Sequence, residues 1–295
     1  MSDPVEGLIC IDKPSGQTSH DTVNAIRRLT GIRRVGHAGT LDPLATGLLL
    51  VCVGRATRLL EYLVGQPKTY LATVQLGRQT TTYDAEGEIT SESPVEITQG
   101  ELAAALDNFR GTISQLAPMY SAVKVDGQPL YRRARKGETI ERPARTVTIH
   151  ELDLLGWDDS LVELRINCSS GTYIRSLAHD LGQLLGCGAY LAGLRRTVIG
   201  SFSLADALPL PDLTPQDWRR HLRSSDSAVE HLARLDLSSE EALTLYYGQT
   251  LQRRAGQTED SPARAYDEED NFVGIVAGDS QSWRAKKIFY QPGQA

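Results

Sequence analysis

The sequence predicts an α+β fold with a small β-rich module at its C-terminal end, on three observations. Apolar runs of strand length, such as residues 48–53 and 70–76, alternate with stretches of helical spacing but without a regular β-α-β rhythm. Residues 147–155 and 161–168 flank a polar turn at Asp158-Asp159, which is the pattern of an antiparallel hairpin. From about Leu235 the chain changes to short strand-like pieces at 263–266, 272–276 and 286–290, so the expected division is 1–232 and 233–295.

Residues 7–12 read as a short buried strand, stopped by the turn Lys13-Pro14-Ser15-Gly16. A helix follows, with Ser19 as N-cap, Val23, Ile26 and Leu29 at helical spacing, and Gly31 at its end. Residues 33–47 hold three glycines and a proline with little periodicity, and are expected to form one long loop; a loop of that length is more often functional than idle. After the strand at 48–53, Leu59, Leu60 and Leu63 mark a helix over 56–64. Residues 70–76 alternate as a strand, 79–94 form a polar, acidic and exposed excursion, and 101–109 form a helix behind Thr98. Beyond the hairpin, 173–185 is a helix opened by Ser169-Ser170-Gly171-Thr172 and closed by Gly186. Residues 209–214 form a proline-bearing break, 215–232 an Arg-rich helical stretch, and 291–295 a loose tail.

Composition excludes several classes. With 295 residues, 40% hydrophobic and 23% charged, the chain has enough apolar material for a packed core and is neither disordered nor collagen-like. The longest apolar stretch, 47–53, is far short of the ~20 residues of a membrane helix, and no signal architecture precedes Asp12, so a cytosolic location is expected. Cys10, Cys52, Cys168 and Cys187 form no CxxC pair and have no histidine at ligand spacing, so neither a zinc site nor a disulfide framework is expected. The net charge of −6 argues against a non-specific nucleic-acid coat, yet basic residues cluster. Arg27, Arg28, Arg33, Arg34, Arg55 and Arg58 share their stretch with one acid, Asp42, and residues 124–145 hold seven basic residues against three acidic. Acids collect at 259–270.

The loop from Gly36 to Gly47 is the segment with the strongest chemical content. Its glycines permit close backbone approach, and Pro43 biases Asp42 toward an extended conformation. Surrounded by arginines, Asp42 is expected to have a lowered pKa and to stay ionised, which suits a nucleophile or base. Asp-Pro is also an ordinary turn element, and the residues alone leave both readings open. The loop is neither a phosphate-binding Walker loop nor a dinucleotide fingerprint.

The fourteen residues from Gly36 to Leu49 resemble the active-site signature of the TruB-type tRNA pseudouridine synthases. Lys13-Pro14-Ser15-Gly16 with Thr18-Ser19, Lys68-Thr69-Tyr70, Tyr120-Ser121-Ala122-Val123-Lys124, Gly171-Thr172-Tyr173-Ile174-Arg175 and Leu194-Arg195-Arg196 resemble further motifs of that family, in the family's order. Ala38 and Leu44-Ala45 are similar to its stand-alone bacterial branch rather than to the branch that works in guide-RNA particles. The resemblance implies a pseudouridine synthase fold, with a mixed, largely antiparallel sheet flanked by helices and loops, followed by a PUA-type RNA-binding domain at 233–295. The acidic stretch 259–270 departs from the basic surface expected of such a domain.

The implied reaction isomerises uridine-55 in the T loop of tRNA: the uracil leaves C1′ through nitrogen, turns, and rejoins through C5. The resemblance makes Asp42 the essential carboxylate, by attack on the sugar, attack on the base, or removal of the C2′ proton. It pairs Arg175 with Asp42 and places His37 in the space vacated by the flipped nucleotide. Tyr70 stacks on the target base and is a candidate for handling the C5 proton, while Tyr173 and Leu194 line the pocket; core packing is an alternative for Leu194. Lys13 and Pro14 support the loop. No metal or cofactor is implied, and the partner is tRNA, with no guide RNA, membrane or obligate protein partner. Two other readings are a non-catalytic RNA-binding or tRNA-folding protein on the same fold, and a glycosidase-like hydrolase, which needs two carboxylates flanking a site.

Overall fold

A computed structural model describes residues 5–121, 124–125, 128–129, 133, 142, 144–254, 256–258 and 261–290. Most of the basic stretch 124–145, Ala122 and Val123 of one motif, Glu259 and Asp260 of the acidic stretch, and the tail 291–295 lie outside the described residues.

Strand β1 (Gly7–Lys13) leads into helix α1 (Ser19–Thr30). Thr18, not Ser19, caps this helix: its hydroxyl accepts the Asp21 amide at 3.1 Å while the Asp21 carboxylate accepts the Thr18 amide at 2.9 Å. Residues 33–47 are not one loop. Strand β2 (Val35–His37) pairs antiparallel with β3 (Thr46–Val53), which confines the irregular part to 38–45 at the tip of a hairpin. Residues 54–64 form a 3-10 turn (Gly54–Leu59) that runs into the short helix α2 (Leu60–Val64).

Strand β4 (Lys68–Leu76) is followed by a small hairpin of β5 (Arg78–Thr80) and β6 (Ile89–Glu92). The segment between them is not simply exposed, because Asp84 is buried. Helix α3 (Gln99–Asp107) starts from a second capping box, Thr98 with Glu101. Then come β7 (Gly111–Leu116), the short mutually paired β8 (Lys124–Val125) and β9 (Gln128–Pro129), and the predicted hairpin of β10 (Ala144–Asp158) and β11 (Leu161–Cys168), with Asp159 left-handed in its turn. Helix α4 (Ile174–Leu185) ends at Gly186 as expected. Strand β12 (Ala189–Ile199), absent from the sequence reading, is central to the sheet. After β13 (Phe202–Ser203) and β14 (Leu208–Pro209), the stretch 215–232 contains 3-10 turns at Trp218–His221 and Ser225–Val229 where an Arg-rich helix was expected.

Among the described residues, ten strands join one mixed sheet in the order β14-β1-β3-β12-β4-β11-β10-β7, with β2 on β3 and β13 on β12. Within this sheet, among the described residues, only β1–β14 and β3–β12 pair in parallel. Helices α3 and α4 cover one face through Leu102, Leu106, Leu177 and Leu181, which pack on Val74 and Leu164. Helix α1 covers Ile9, Ile11, Leu49 and Val51 through Val23 and Ile26.

The C-terminal part has its own five-stranded sheet, ordered β15 (Arg234–Asp236), β17 (Ala263–Tyr266), β18 (Phe272–Gly278), β19 (Ser282–Ile288) and β16 (Leu251–Gln252), with helix α5 (Ser239–Tyr246) against it. Ile275 of β18 and Phe289, just after β19, join Leu8, Leu48, Leu50 and Leu59 in one continuous apolar cluster. Arg58 donates to the Ile288 carbonyl at 2.8 Å, and the Tyr266 hydroxyl donates to Asp226 at 2.8 Å. Among the described residues no helix is long and apolar enough to cross a membrane. The four cysteines are buried and unpaired with one another.

Where β3 meets β12 in parallel, Gly47 has φ 99°, and a Cβ there would lie 2.3 Å from the Arg196 carbonyl oxygen. Only glycine fits both demands. Gly47→Ala is expected to lower the melting temperature by about 5 °C or more in calorimetry; an unchanged transition would show that this contact does not hold the two halves of the sheet together.

Candidate active site

The hairpin of β2 and β3 presents residues 38–45 as a loop that several backbone and side-chain bonds fasten from below. Ser19, no longer needed as a cap, accepts the Leu41 amide at 2.8 Å and donates to the Leu41 carbonyl at 3.1 Å. The Pro43 carbonyl accepts the Gly16 amide at 2.9 Å. Lys13 is fully buried and donates to the carbonyls of Pro14 at 2.8 Å, Gln17 at 2.6 Å and Pro43 at 3.4 Å. Burial pushes its ammonium down to about 8, partly opposed by Asp42. From β12, buried Arg196 donates to the Gly39 carbonyl at 3.0 Å and to that of Leu48 at 2.8 Å. Asp42 therefore sits on a loop whose backbone is fixed on both sides, next to Pro43 and close to Pro14.

Arg175, in the first turn of α4, grips Asp42 side-on. Its Nε lies 2.9 Å from Oδ2, and its Nη2 donates to Oδ1 at 3.2 Å. The same guanidinium donates through Nη1 to Asp84 Oδ2 at 3.1 Å and to the Thr82 carbonyl at 3.3 Å, and through Nη2 to the Tyr120 carbonyl at 2.9 Å. The Arg175 and Asp84 side chains are 6% and 2% exposed, whereas Asp42 retains 34%, so of the two acids it is Asp42 that faces outward.

This geometry changes the expected electrostatics in two ways. The arginines near Asp42 in sequence do not surround it: Arg27 donates to the Val35 carbonyl, Arg55 pairs with Glu6, Arg58 turns to Ile288, and Arg28, Arg33 and Arg34 are exposed. Burial raises the Asp42 pKa above its ordinary value of 3.8, against the lowering expected from sequence; Arg175 and Lys13 pull it down, and the like charge of Asp84 pushes it up. Desolvation wins because one guanidinium is divided between two carboxylates.

Above Asp42 opens a cavity of about 480 Å³, within the size range of small-ligand sites. Its walls bring together Asp42, Arg175, Tyr70, Tyr173 and Leu194 from the sequence reading, along with Ser121, Lys68 and Arg196. Tyr70 is buried on β4, and burial raises its phenol above the usual value, which keeps it protonated; Arg196 opposes this in part. Leu194 both lines the cavity and packs against the core under α4. His37 does not line the cavity: it ends β2, half-buried, and burial and then Arg196 lower its pKa, which leaves it neutral near pH 7. A groove of similar volume, about 500 Å³, lies at the far end of β4, but it is open to solvent and its charged lining pairs off as Arg78 with Glu92 at 3.4 Å. Among the described residues no group of three or more His, Cys, Asp or Glu could hold a metal ion.

Asp84 is the residue that the sequence reading missed. Its loop reads in the sequence as an exposed excursion, yet Thr82 donates to its side chain at 2.5 Å and Glu86 gives it an amide at 3.1 Å. The only local signal is the turn chemistry of Asp84 with Gly87. Asp84 does not line the cavity, so the two acids do not flank a site as a glycosidase requires.

The architecture is that of the pseudouridine synthases. A chain in the crystal structure of a Cbf5-Nop10-Gar1 complex superposes with a TM-score of 0.75 over 96% of this chain and 85% of that one, at 25% identity. The family model for the TruB family pseudouridylate synthase N-terminal domain matches residues 27–174, and that for the tRNA pseudouridylate synthase B C-terminal domain matches 175–244. The chain belongs to the TruB family of pseudouridylate synthases. It is 44% identical to the tRNA pseudouridine synthase B of Pseudomonas fluorescens (strain Pf0-1), covering 92% of this chain and 91% of that one. It is 43% identical to that of Azoarcus sp. (strain BH72), covering 98% and 97%.

Asp84 gives a prediction with a definite sign. A reaction that needs ionised Asp42 fails as pH falls through the raised pKa of that group, so the acid limb of kcat/KM lies above the ordinary carboxylate value. Asp84→Asn removes the like charge and moves that limb to lower pH, while the looser Arg175 lowers the rate at neutral pH by about tenfold or more. A limb that stays in place or moves upward in the pH–rate profile would show that Asp84 does not act electrostatically on Asp42.

Proposed function

We propose that this protein is a stand-alone tRNA pseudouridine synthase that isomerises uridine-55 of the T loop, with Asp42 as its essential carboxylate. The observation that carries the reading is the outward-facing acid of the cavity, Asp42, the single one among the described residues, locked side-on by a buried arginine that is itself anchored to a second acid. In the isomerisation the N1–C1′ bond breaks, the uracil turns, the C5–C1′ bond forms, C5 loses its proton and N1 gains one, so no oxidant or energy source is consumed. Attack on C1′, attack on the base, and removal of the C2′ proton all begin from an ionised oxygen with a free lone pair. Arg175 fixes both oxygens from one side and leaves the cavity side for that pair.

A stacked loop uridine cannot reach Asp42, so the target nucleotide is extruded into the cavity. Tyr70 then stacks on the uracil, and its protonated phenol suits stacking and hydrogen-bond donation better than proton removal. Tyr173 and Leu194 close the walls, Lys13 and Pro14 hold the loop, and His37, uncharged, supports the RNA outside the cavity. At the mouth, the Arg145 guanidinium lies 5.0 Å from the Tyr173 ring centroid and donates to the Gly171 carbonyl at 3.4 Å, placed for a phosphate of the incoming strand. Exposed Arg28, Arg33 and Arg34 offer further cations to RNA phosphates. In this reading residues 1–232 catalyse and 233–295 give further RNA contact. The enzyme works in the cytoplasm, without guide RNA or an obligate protein partner. Ala38 and Leu44-Ala45, together with the near full-length match to bacterial relatives, support that branch.

Two measurements test this. Asp42→Asn is expected to abolish tritium release from a C5-labelled T-arm hairpin while leaving tRNA affinity within a few fold, since it removes charge and little shape; retained turnover would refute the role of Asp42. Arg145→Ala is expected to weaken tRNA binding and to reduce the slope of log affinity against log salt by about one. An unchanged slope would remove Arg145 from the phosphate face.

A further inference from the structure

Ser121 lines the cavity and is 5% exposed, yet its Oγ has no hydrogen-bond partner among the described residues. Several other polar groups of the wall are engaged. Lys68 donates to the Val64 and Gln66 carbonyls at 2.8 and 2.6 Å, Thr172 to the Ser169 carbonyl at 2.9 Å, Thr18 to Asp21 at 2.6 Å, and Arg196 to Leu48 and Gly39 as above. A buried hydroxyl left unpaired is costly, and such groups concentrate where a ligand completes them. The neighbouring Tyr120 carbonyl is held by Arg175 Nη2 at 2.9 Å, so the chain that carries Ser121 is fixed by the same guanidinium that fixes Asp42.

We propose that Ser121 is a substrate-contacting residue whose hydroxyl hydrogen-bonds the imide edge of the target uracil, a reading that rests on the cavity being the site of uridine isomerisation. The chemistry of the turn favours that edge. Converting an N1 linkage into a C5 linkage amounts to a half-turn of the ring about the axis through N3 and C6. This exchanges N1 with C5 and the C2 carbonyl with the C4 carbonyl, while N3–H stays on the axis. The imide edge thus presents acceptor, donor, acceptor both before and after the turn. A serine hydroxyl is one donor and two acceptors on a free rotor, so it can keep hold of that edge throughout. The other end of the axis, C6–H, offers no ordinary hydrogen bond, and a contact to either side of the ring would have to be given up.

The test is single-turnover isomerisation by the full-length protein on T-arm hairpins carrying uridine, 2-thiouridine or 4-thiouridine at the target. Sulfur is a poor acceptor, so the parent enzyme is expected to slow by about tenfold with at least one thio base, and Ser121→Ala to slow by about tenfold on uridine but to be indifferent to sulfur. Ser121→Thr, which retains the hydroxyl, should recover most of the rate, and it serves as the folded control should Ser121→Ala be unstable. Parental rates in Ser121→Ala overturn the proposal, as does a sulfur penalty that survives in that variant. A shifted acid limb in Ser121→Ala would also overturn it, because the residue would then act through Arg175. If the parent enzyme itself leaves uridine unchanged in the hairpin, the isomerase reading fails, which is a separate outcome.

Discussion

One guanidinium holds four separate parts of the chain in place. The Arg175 guanidinium reaches both oxygens of Asp42, one of Asp84, and the carbonyls of Thr82 and Tyr120. The hairpin tip, the loop before β6, the end of the segment after β7 and the start of α4 therefore meet at a single buried group. Any rotation of that group would strand a charge away from water, which is far more costly than losing an exposed ion pair. The constraint gives the acid a fixed orientation without neutralising it, since two carboxylates share one cation.

The rest of the site is built to serve that arrangement. The loop carrying Asp42 has few side chains large enough to pack, so it is held through its own carbonyls and amides, by Ser19, Gly16, Lys13 and Arg196. An acid on a loop is only as well placed as the elements that hold the loop, and here those are β1, α1 and β12.

How much of this could be read from sequence depended on whether a signal was local. Residues 48–53, 70–76 and the hairpin at Asp158-Asp159 were legible because apolar runs, alternation and turn chemistry are short-range. Strand β12 was not, because its pairing with β4 breaks register between Leu191 and Gly193 and again between Arg196 and Val198, which scrambles the two-residue period. Strand β2 is three residues long and contains a glycine, too little for any pattern. Helix α5 carries a local sign, the capping box of Ser238 with Glu241, within a region whose short strand-like pieces otherwise point to β structure. The 3-10 turns at 218–229 mimic helical spacing over a few residues. In the site, the tie between Arg175 and Asp42 came from the family resemblance. Asp84 lies 91 residues from the arginine it binds and shows in the sequence only its turn chemistry, and the upward shift of Asp42 depends on burial, which no linear pattern encodes.

The joint between the two sheets has a mechanical consequence. Ile275 and Phe289 share a core with Leu8 and Leu59, and Arg58 is bonded to the backbone of Ile288, so the C-terminal sheet is welded to the larger one rather than tethered by a linker. Loosening the C-terminal sheet would therefore uncover apolar surface of the larger one, so the two parts depend on each other for their folding.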